Sequence, residues 1–174
     1  METTKNKLPV FAEHFFKKLG DYLDTKIYYY GSIQRSDYFP DSSDIDVDIF
    51  TENENSTITK LQHFLKIDRN EIKKFIYKLN KTKKVVHGYK IKYTDEKNNF
   101  STEISIYNEK NKQEVLLEHL SKTDLPFYIS ILLVILKTLY YKFQILPSSV
   151  YYFFKKIIMN YMVEGQDTQF VTFE

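Results

Sequence analysis

Apolar side chains recur at helical spacing at Phe11, Phe15, Leu19 and Tyr22, which predicts an amphipathic helix over Val10 to Leu23 that breaks at Gly20 or shortly after. The aromatic run from Ile27 to Tyr30 reads as a short strand instead, and Gly31-Ser32 turns the chain behind it. Ile45, Val47 and Ile49 then alternate with Asp44, Asp46 and Asp48, so a second strand is expected with one apolar and one acidic face. After the polar stretch Thr51 to Ser56, Ile58, Leu61 and Leu65 predict another helix. Asp68 with Glu71 three residues on has the form of a capping box. Behind it Ile72, Phe75, Ile76 and Leu79 make one stripe, which predicts a further helix with lysines on its other faces.

Tyr89 to Tyr93 and Phe100 to Tyr107 read as two strands of an antiparallel hairpin, joined by the turn-rich segment Asp95 to Asn99. On the second, Ile104 and Ile106 face one way and Glu103 and Ser105 the other. Asn111 with Glu114 opens a short helix through Leu120, and Asp124 with Pro126 starts a long apolar helix expected to be buried. Pro147-Ser148-Ser149 separates it from a final helix that fades before Gly165. Strands in the first two-thirds and helices in the last third indicate an α+β core with a helical extension, the boundary lying between Gln113 and Asp124.

At 174 residues the chain is long enough for one domain to bury a core without staples, and the absence of cysteine excludes disulfides and thiolate zinc sites. His14, His63, His87 and His119 are far apart in sequence and read as surface or satisfied structural histidines. A formal charge of +2 argues against coating of nucleic acid by bulk electrostatics. Lys73, Lys74, Lys78, Lys81, Lys83 and Lys84 nevertheless crowd one segment and Lys155-Lys156 another; a solvated helix face is the simpler reading, a phosphate-tracking surface the other. The polar N-terminus lacks the apolar core of a secretory signal, and Phe127 to Leu136 is too short to span a bilayer. No membrane partner is expected, and a soluble protein of the cell interior, cytoplasmic or nuclear, is.

The chemistry lies in Tyr30-Gly31-Ser32 and Asp44-Ile45-Asp46-Val47, with eleven residues between Ser32 and Asp44. Carboxylates two apart on a strand project to the same side, where hard oxygen ligands suit a divalent cation. The pattern resembles the signature of the nucleotidyltransferase superfamily that includes DNA polymerase β, poly(A) polymerases, terminal uridylyltransferases and small bacterial nucleotidyltransferases: a hydrophobic residue, Gly, Gly or Ser, a spacer, then acid, hydrophobic, acid, hydrophobic. The resemblance implies a polymerase β-like nucleotidyltransferase core, a mixed and mostly antiparallel sheet with flanking helices, over residues 1–118, and a small helical extension over 119–174. The first helix could pack with the helical part.

The resemblance also implies a site. Asp44 and Asp46 would bind two Mg2+ or Mn2+ ions, which in such sites lie about 3.5–4 Å apart. Glu103, in Glu103-Ile104-Ser105-Ile106-Tyr107-Asn108, resembles the third acid of the poly(A) polymerases and uridylyltransferases that tail RNA, although those carry Asp; Glu sets its carboxylate roughly 1.5 Å farther out. Asp48 reads as an outer or merely solvated acid, and Arg35 equally as a phosphate contact or a plain loop residue. Gly31 and Ser32 would hold the triphosphate. Leu133-Val134-Ile135-Leu136-Lys137 and Leu146-Pro147-Ser148-Ser149 resemble the helical segment of the same enzymes, so Lys137 and Ser149 would bind phosphate oxygens as well. Two departures stand out: the second lysine expected one turn later is Tyr141, and the aromatic expected after Ser-Ser is Val150. The expected activity is NMP transfer from an NTP, ATP foremost, to a hydroxyl acceptor with release of pyrophosphate, at an RNA 3′ end foremost. The alternatives are a minimal enzyme modifying a protein or small molecule, or a catalytically degenerate regulatory subunit. A homodimer or a partner subunit is compatible with either.

Overall fold

A computed structural model describes residues 1–40, 42–159 and 170–173. Helix α1 (Val10–Leu23) leads into strand β1 (Tyr28–Tyr30), a 3-10 turn over Gly31–Gln34, and β2 (Ile45–Thr51). Helix α2 (Glu54–Leu65) follows, then β3 (Ile72–Lys78), β4 (Val85–Asp95) and β5 (Phe100–Asn108). Helices α3 (Lys112–Ser121), α4 (Phe127–Lys137) and α5 (Ser148–Met159) come next, and β6 (Phe170–Phe173) returns to the sheet. The strand order is β1-β2-β5-β4-β3-β6, antiparallel throughout except for β2 beside β5. The expected α+β architecture is therefore present, with one more edge strand than the hydrophobic pattern revealed.

Each face of the sheet has its own core. Ile45, Val47 and Ile49 of β2 and Ile104 and Ile106 of β5 point to the side covered by α1 and α2, where Phe16, Leu19, Ile58 and Leu61 meet them. Burying a side chain of this size contributes about 1.5–3 kcal/mol. On the other side Phe50, Phe75, Tyr77 and Tyr107 pack with Val115 of α3. That second core fills only part of its face, and the acidic side of β2 lies next to it.

The segment after Asp68 is a strand rather than the expected helix. Its capping box exists, with the Asp68 amide donating to Glu71 Oε1 at 2.9 Å, but it closes a single 3-10 turn over Arg69–Glu71. Ile72, Phe75, Ile76 and Leu79 fit a helical stripe by coincidence. In β3 Phe75 and Tyr77 face one core and Ile72 the other, and both edges of the strand are bonded, to β4 and to β6. β-Branched and aromatic residues favour that pleated, two-sided setting, and a helix here would leave β4 with an open edge. The lysines of this segment accordingly lie on strands and their turn, not on a helix.

Smaller differences follow from packing. The buried side of α1 is Ala12, Phe16, Leu19 and Leu23, whereas Tyr22 is exposed and Phe11 and Phe15 join an aromatic cluster around Phe100. Asn111 precedes α3 without a side-chain cap; the bond to a free amide comes from Asn108, which accepts from Lys110 N at 3.3 Å. The apolar run expected to be a buried helix is α4, but only Ile129, Leu133, Leu136 and Lys137 are enclosed and Phe127 is 81% exposed. Between α4 and α5 the chain makes a π-helical turn over Thr138–Lys142. Whether the last helix fades before Gly165 lies outside the described residues. No helix among those described is long and apolar enough to cross a membrane.

Gly88 of β4 marks the tightest approach within the sheet. A Cβ there would sit 2.6 Å from Phe75 Cζ and 2.7 Å from the Ile106 carbonyl oxygen, and backbone cannot yield as a side-chain tip can. Gly88→Ala is expected to destabilise the fold by about 1–3 kcal/mol, the usual range for overpacking. Urea unfolding would measure this, and an unchanged midpoint would contradict the close approach.

Candidate active site

The register of β2 assembles the site. Asp46 lies opposite Tyr30 of β1 and opposite Glu103 of β5, so the three side chains project from one face of adjacent strands about 4.8 Å apart. Asp44 precedes β2 on the same side. Gly31 opens the turn after β1 with φ of +71°, and a Cβ there would collide with Asp46 Oδ2 and come within 3.0 Å of the carboxyl carbon. The need for glycine is thus set first by the Asp46 carboxylate, and the same lack of a side chain leaves the Ser32 end of the turn open to a ligand. Gly31, Ser32, Asp44, Asp46 and Glu103 line one cleft of ≈ 420 Å3, together with Arg35, Lys92, Lys137 and, from α5, Tyr152 and Lys155.

Burial, then the neighbouring charges of Glu103 and Asp44, push the Asp46 carboxyl up to about 7, against the pull of Lys155 and Arg35. Its neighbours are turned toward lysines of β4: Glu103 Oε1 lies 2.7 Å from Lys90 Nζ and Asp44 Oδ2 lies 3.6 Å from Lys92 Nζ. Among the described residues no three His, Cys, Asp or Glu groups converge closely enough to hold an ion as they stand. The donor set nevertheless fits a divalent cation. All three groups offer hard oxygen from one face, and the Asp46 carboxylate, disfavoured by burial first and by the charges of Glu103 and Asp44 next, would gain from a bound cation.

A second cluster borders the cleft. Arg35 grips Asp37 with both ends of its fork, Nε to Oδ1 at 2.7 Å and Nη2 to Oδ2 at 3.2 Å. Lys137 Nζ donates to the Asp37 carbonyl at 2.6 Å and lies 2.9 Å from Oδ2. Burial works to raise the Asp37 carboxyl, but Arg35 and Lys137 prevail and hold it at about 2. Burial also lowers Lys137, with Asp37 opposing. Lys137 therefore reaches the cleft with its charge already engaged. Ser149 is exposed in the first turn of α5 and is not part of the cleft lining; its neighbour Ser148 meets the Tyr140 hydroxyl at 3.1 Å.

Asp48 is fully buried rather than solvated. His119 Nε2 lies 3.0 Å from its Oδ2, off the line of a hydrogen bond, so the contact is electrostatic and both carboxylate oxygens lack a donor among the described residues. Burial raises the Asp48 carboxyl although His119 opposes it. The His119 ring stacks on Tyr30 with centroids 4.0 Å apart and reaches the cleft wall. Sequence reasoning passed over Asp37, read His119 as a surface or satisfied structural histidine, and saw Lys155 only as part of a lysine pair. Asp37 carries no signal beyond following Arg35 by two positions, and the contacts of the other two come from α3 and α5 folding back over the sheet.

The Asp46 shift has a sign that can be tested. A carboxyl raised from 3.8 to about 7 in the folded protein costs stability as pH climbs from 4 to 7, and the full cost persists above 7. At 1.36 kcal/mol per unit it amounts to at most about 4 kcal/mol. Asp46→Asn is expected to be more stable than the parent at pH 8 without added metal, and the advantage is expected to shrink toward pH 4. Thermal melts across that range would register the trend; a flat difference would refute it.

A family model described as a nucleotidyltransferase domain matches residues 12–122, more than half of the chain. No curated protein shows significant sequence similarity. Among solved structures, that of the GLD-2/RNP-8 complex is similar, with a TM-score of 0.42 and 13% identity, covering 85% of this chain and 53% of that one. The chain thus spans about half the length of that neighbour. The family match contains β1 to β5, the Gly31 turn and the acids Asp44, Asp46 and Glu103, and the chain belongs to the nucleotidyltransferase family of the polymerase β-like superfamily.

Proposed function

We propose that this cleft transfers an NMP from an NTP, ATP foremost, to a hydroxyl acceptor with release of pyrophosphate, and that the acceptor is an RNA 3′ end. The observation that carries the reading is the pairing of Asp46 with Glu103 across β2 and β5, beside a glycine turn against which the Asp46 carboxylate packs. Asp44, Asp46 and Glu103 would hold Mg2+ or Mn2+, which when bound lowers the pKa of the acceptor hydroxyl and neutralises phosphate charge. Ser32 offers an amide and a hydroxyl to the triphosphate, and Lys155 an additional charge from α5. Arg35 and Lys137, fixed by Asp37, keep positive charge at the same end at little further entropic cost. Tyr152, exposed on the cleft wall, supplies a ring on which a base can stack. The division into a core over residues 1–118 and a helical part over 119–174 belongs to this reading, as does the assignment of Ser149 to phosphate.

The Lys90–Glu103 contact favours one rival, a subunit in which lysine has permanently replaced a metal ion. Incubation with each labelled NTP, Mg2+ or Mn2+ and a short RNA, with products resolved by size, separates the two. RNA extension is expected, with ATP the best donor. Asp46→Asn is expected to lose at least about a hundredfold in turnover, since even outer partners of a catalytic metal are worth 10–100-fold. Glu103→Asp is expected to retain more activity than Glu103→Gln. Label on protein alone would reassign the acceptor, and turnover by Asp46→Asn at the parent rate would overturn the site.

A further inference from the structure

We propose that Lys73, Lys90 and Lys92 form a docking track for successive phosphates of a single-stranded polynucleotide acceptor, on the sheet face beside Glu103. The proposal rests on the transfer reading above and deepens it by giving the acceptor a place. The register sets the row: Lys92 lies opposite Glu103 and Lys90 opposite Ser105 across β4 and β5, while Lys73 lies opposite Lys90 across β3 and β4. Directly opposed residues of antiparallel strands project to one side. That side is the one facing away from Ile91 and Ile104, and it carries the acids. The lysines therefore begin at Glu103 and lead outward across the sheet.

Their charge is out of balance in an informative way. Two lysines placed directly opposite each other across strands repel, so Lys73 against Lys90 is unfavourable without an anion between or above them. Glu103 lies 2.7 Å from Lys90 and Asp44 3.6 Å from Lys92, and Lys90 also favours the charged form of buried Asp48. Among the described residues no carboxylate pairs with Lys73, which is exposed. Glu103 and Asp44 belong to the transfer site. Once they serve that site, exposed Lys73 and Lys92 keep their positive charge on this flank.

Position supports a polyanion on this flank. Gly31 and Ser32, beside β1, lie on one side of Asp46, and the lysines of β4 and β3 lie on the other. In-line displacement requires the acceptor oxygen to approach opposite the leaving pyrophosphate, so the nucleotide occupies the first flank and the acceptor the second. Lys90 and Lys92 are two residues apart, about 7 Å along a strand, and Lys73 extends the row sideways. A file of separate point charges suits a chain of phosphates better than one phosphate group, which a single arginine fork would hold.

The test measures binding, not turnover. A fluorescent single-stranded RNA oligonucleotide would be titrated by anisotropy over a salt series, without nucleotide, against the parent, the double variant Lys73→Gln/Lys92→Gln, and Lys17→Gln/Lys18→Gln. The last removes the same charge from exposed positions of α1, on the opposite side of the sheet. The track variant is expected to bind RNA about tenfold more weakly and to show a salt slope shallower by roughly 1.4, at 0.7 per lost phosphate contact, while the α1 variant's RNA affinity stays at the parent value. An unchanged slope in the track variant, an equal loss in the α1 variant, or no RNA binding by the parent would each overturn the track. The transfer reading would survive any of these if the parent still bound NTP and labelled another acceptor, and it would fall separately if the parent bound no NTP.

Discussion

The Asp46 carboxylate packed against Gly31 is the contact on which the site depends. It forces a glycine with positive φ into the turn after β1, because any side chain there would occupy the space of the carboxylate. The turn in turn fixes where Ser32 presents its amide and hydroxyl. The same carboxylate sits beside Glu103 and Asp44 in a partly closed cleft, and its rise to about 7 expresses its burial first and the charge of Glu103 and Asp44 after it. A fold selected for stability alone would not gather three acids there; the arrangement makes sense as a receptor for positive charge.

Around that strained centre the protein places its cations with unequal freedom. Arg35 and Lys137 are locked on buried Asp37, so their positions are fixed, although burial works against the charge of Lys137. A buried ion cluster of this kind adds little net stability once desolvation is counted, but removing one member would strand the others. Lys92 is 62% exposed and meets Asp44 at 3.6 Å, a loose pair screened by solvent. Under the reading proposed above, fixed cations on the Gly31 flank and adjustable ones on the β4 flank would suit a nucleotide bound in one geometry and an acceptor that slides.

The parts of this design legible in the sequence are those written in local periodicity. The alternation of Ile45, Val47 and Ile49 with Asp44, Asp46 and Asp48 specified β2 and its acidic face, and Glu103 beside Ile104 specified which side of β5 would join it. β3 was hidden because Ile72, Phe75, Ile76 and Leu79 satisfy a helical period, while the pairing with β4 and β6 that makes them a strand is non-local. Asp37 and His119 were hidden for a related reason: each acquires its role from a residue about a hundred or seventy positions away, Lys137 in one case and Asp48 in the other. Asp48 shares its alternation with Asp46, but only the third dimension shows that α3 closes over it.

The alignment of the acids is inherited from the core. Asp46 and Glu103 meet because β2 and β5 run parallel in one register, and neither carboxylate favours that register, since like charges on neighbouring strands repel. What enforces it lies on the opposite face, where Ile45, Val47, Ile104 and Ile106 are each almost fully enclosed. A slip of β5 by one residue would bring Glu103 into that apolar core and Ile104 into the cleft, because alternate residues of a strand point to opposite sides. Each apolar side chain so displaced forfeits about 1.5–3 kcal/mol, and the buried carboxylate adds its own desolvation cost. The penalty exceeds the relief gained by separating two partly solvated acids. The hydrophobic face thus holds the acidic face in an arrangement it would not adopt unaided, and the apolar half of each strand is as much a determinant of the candidate site as the acids it positions.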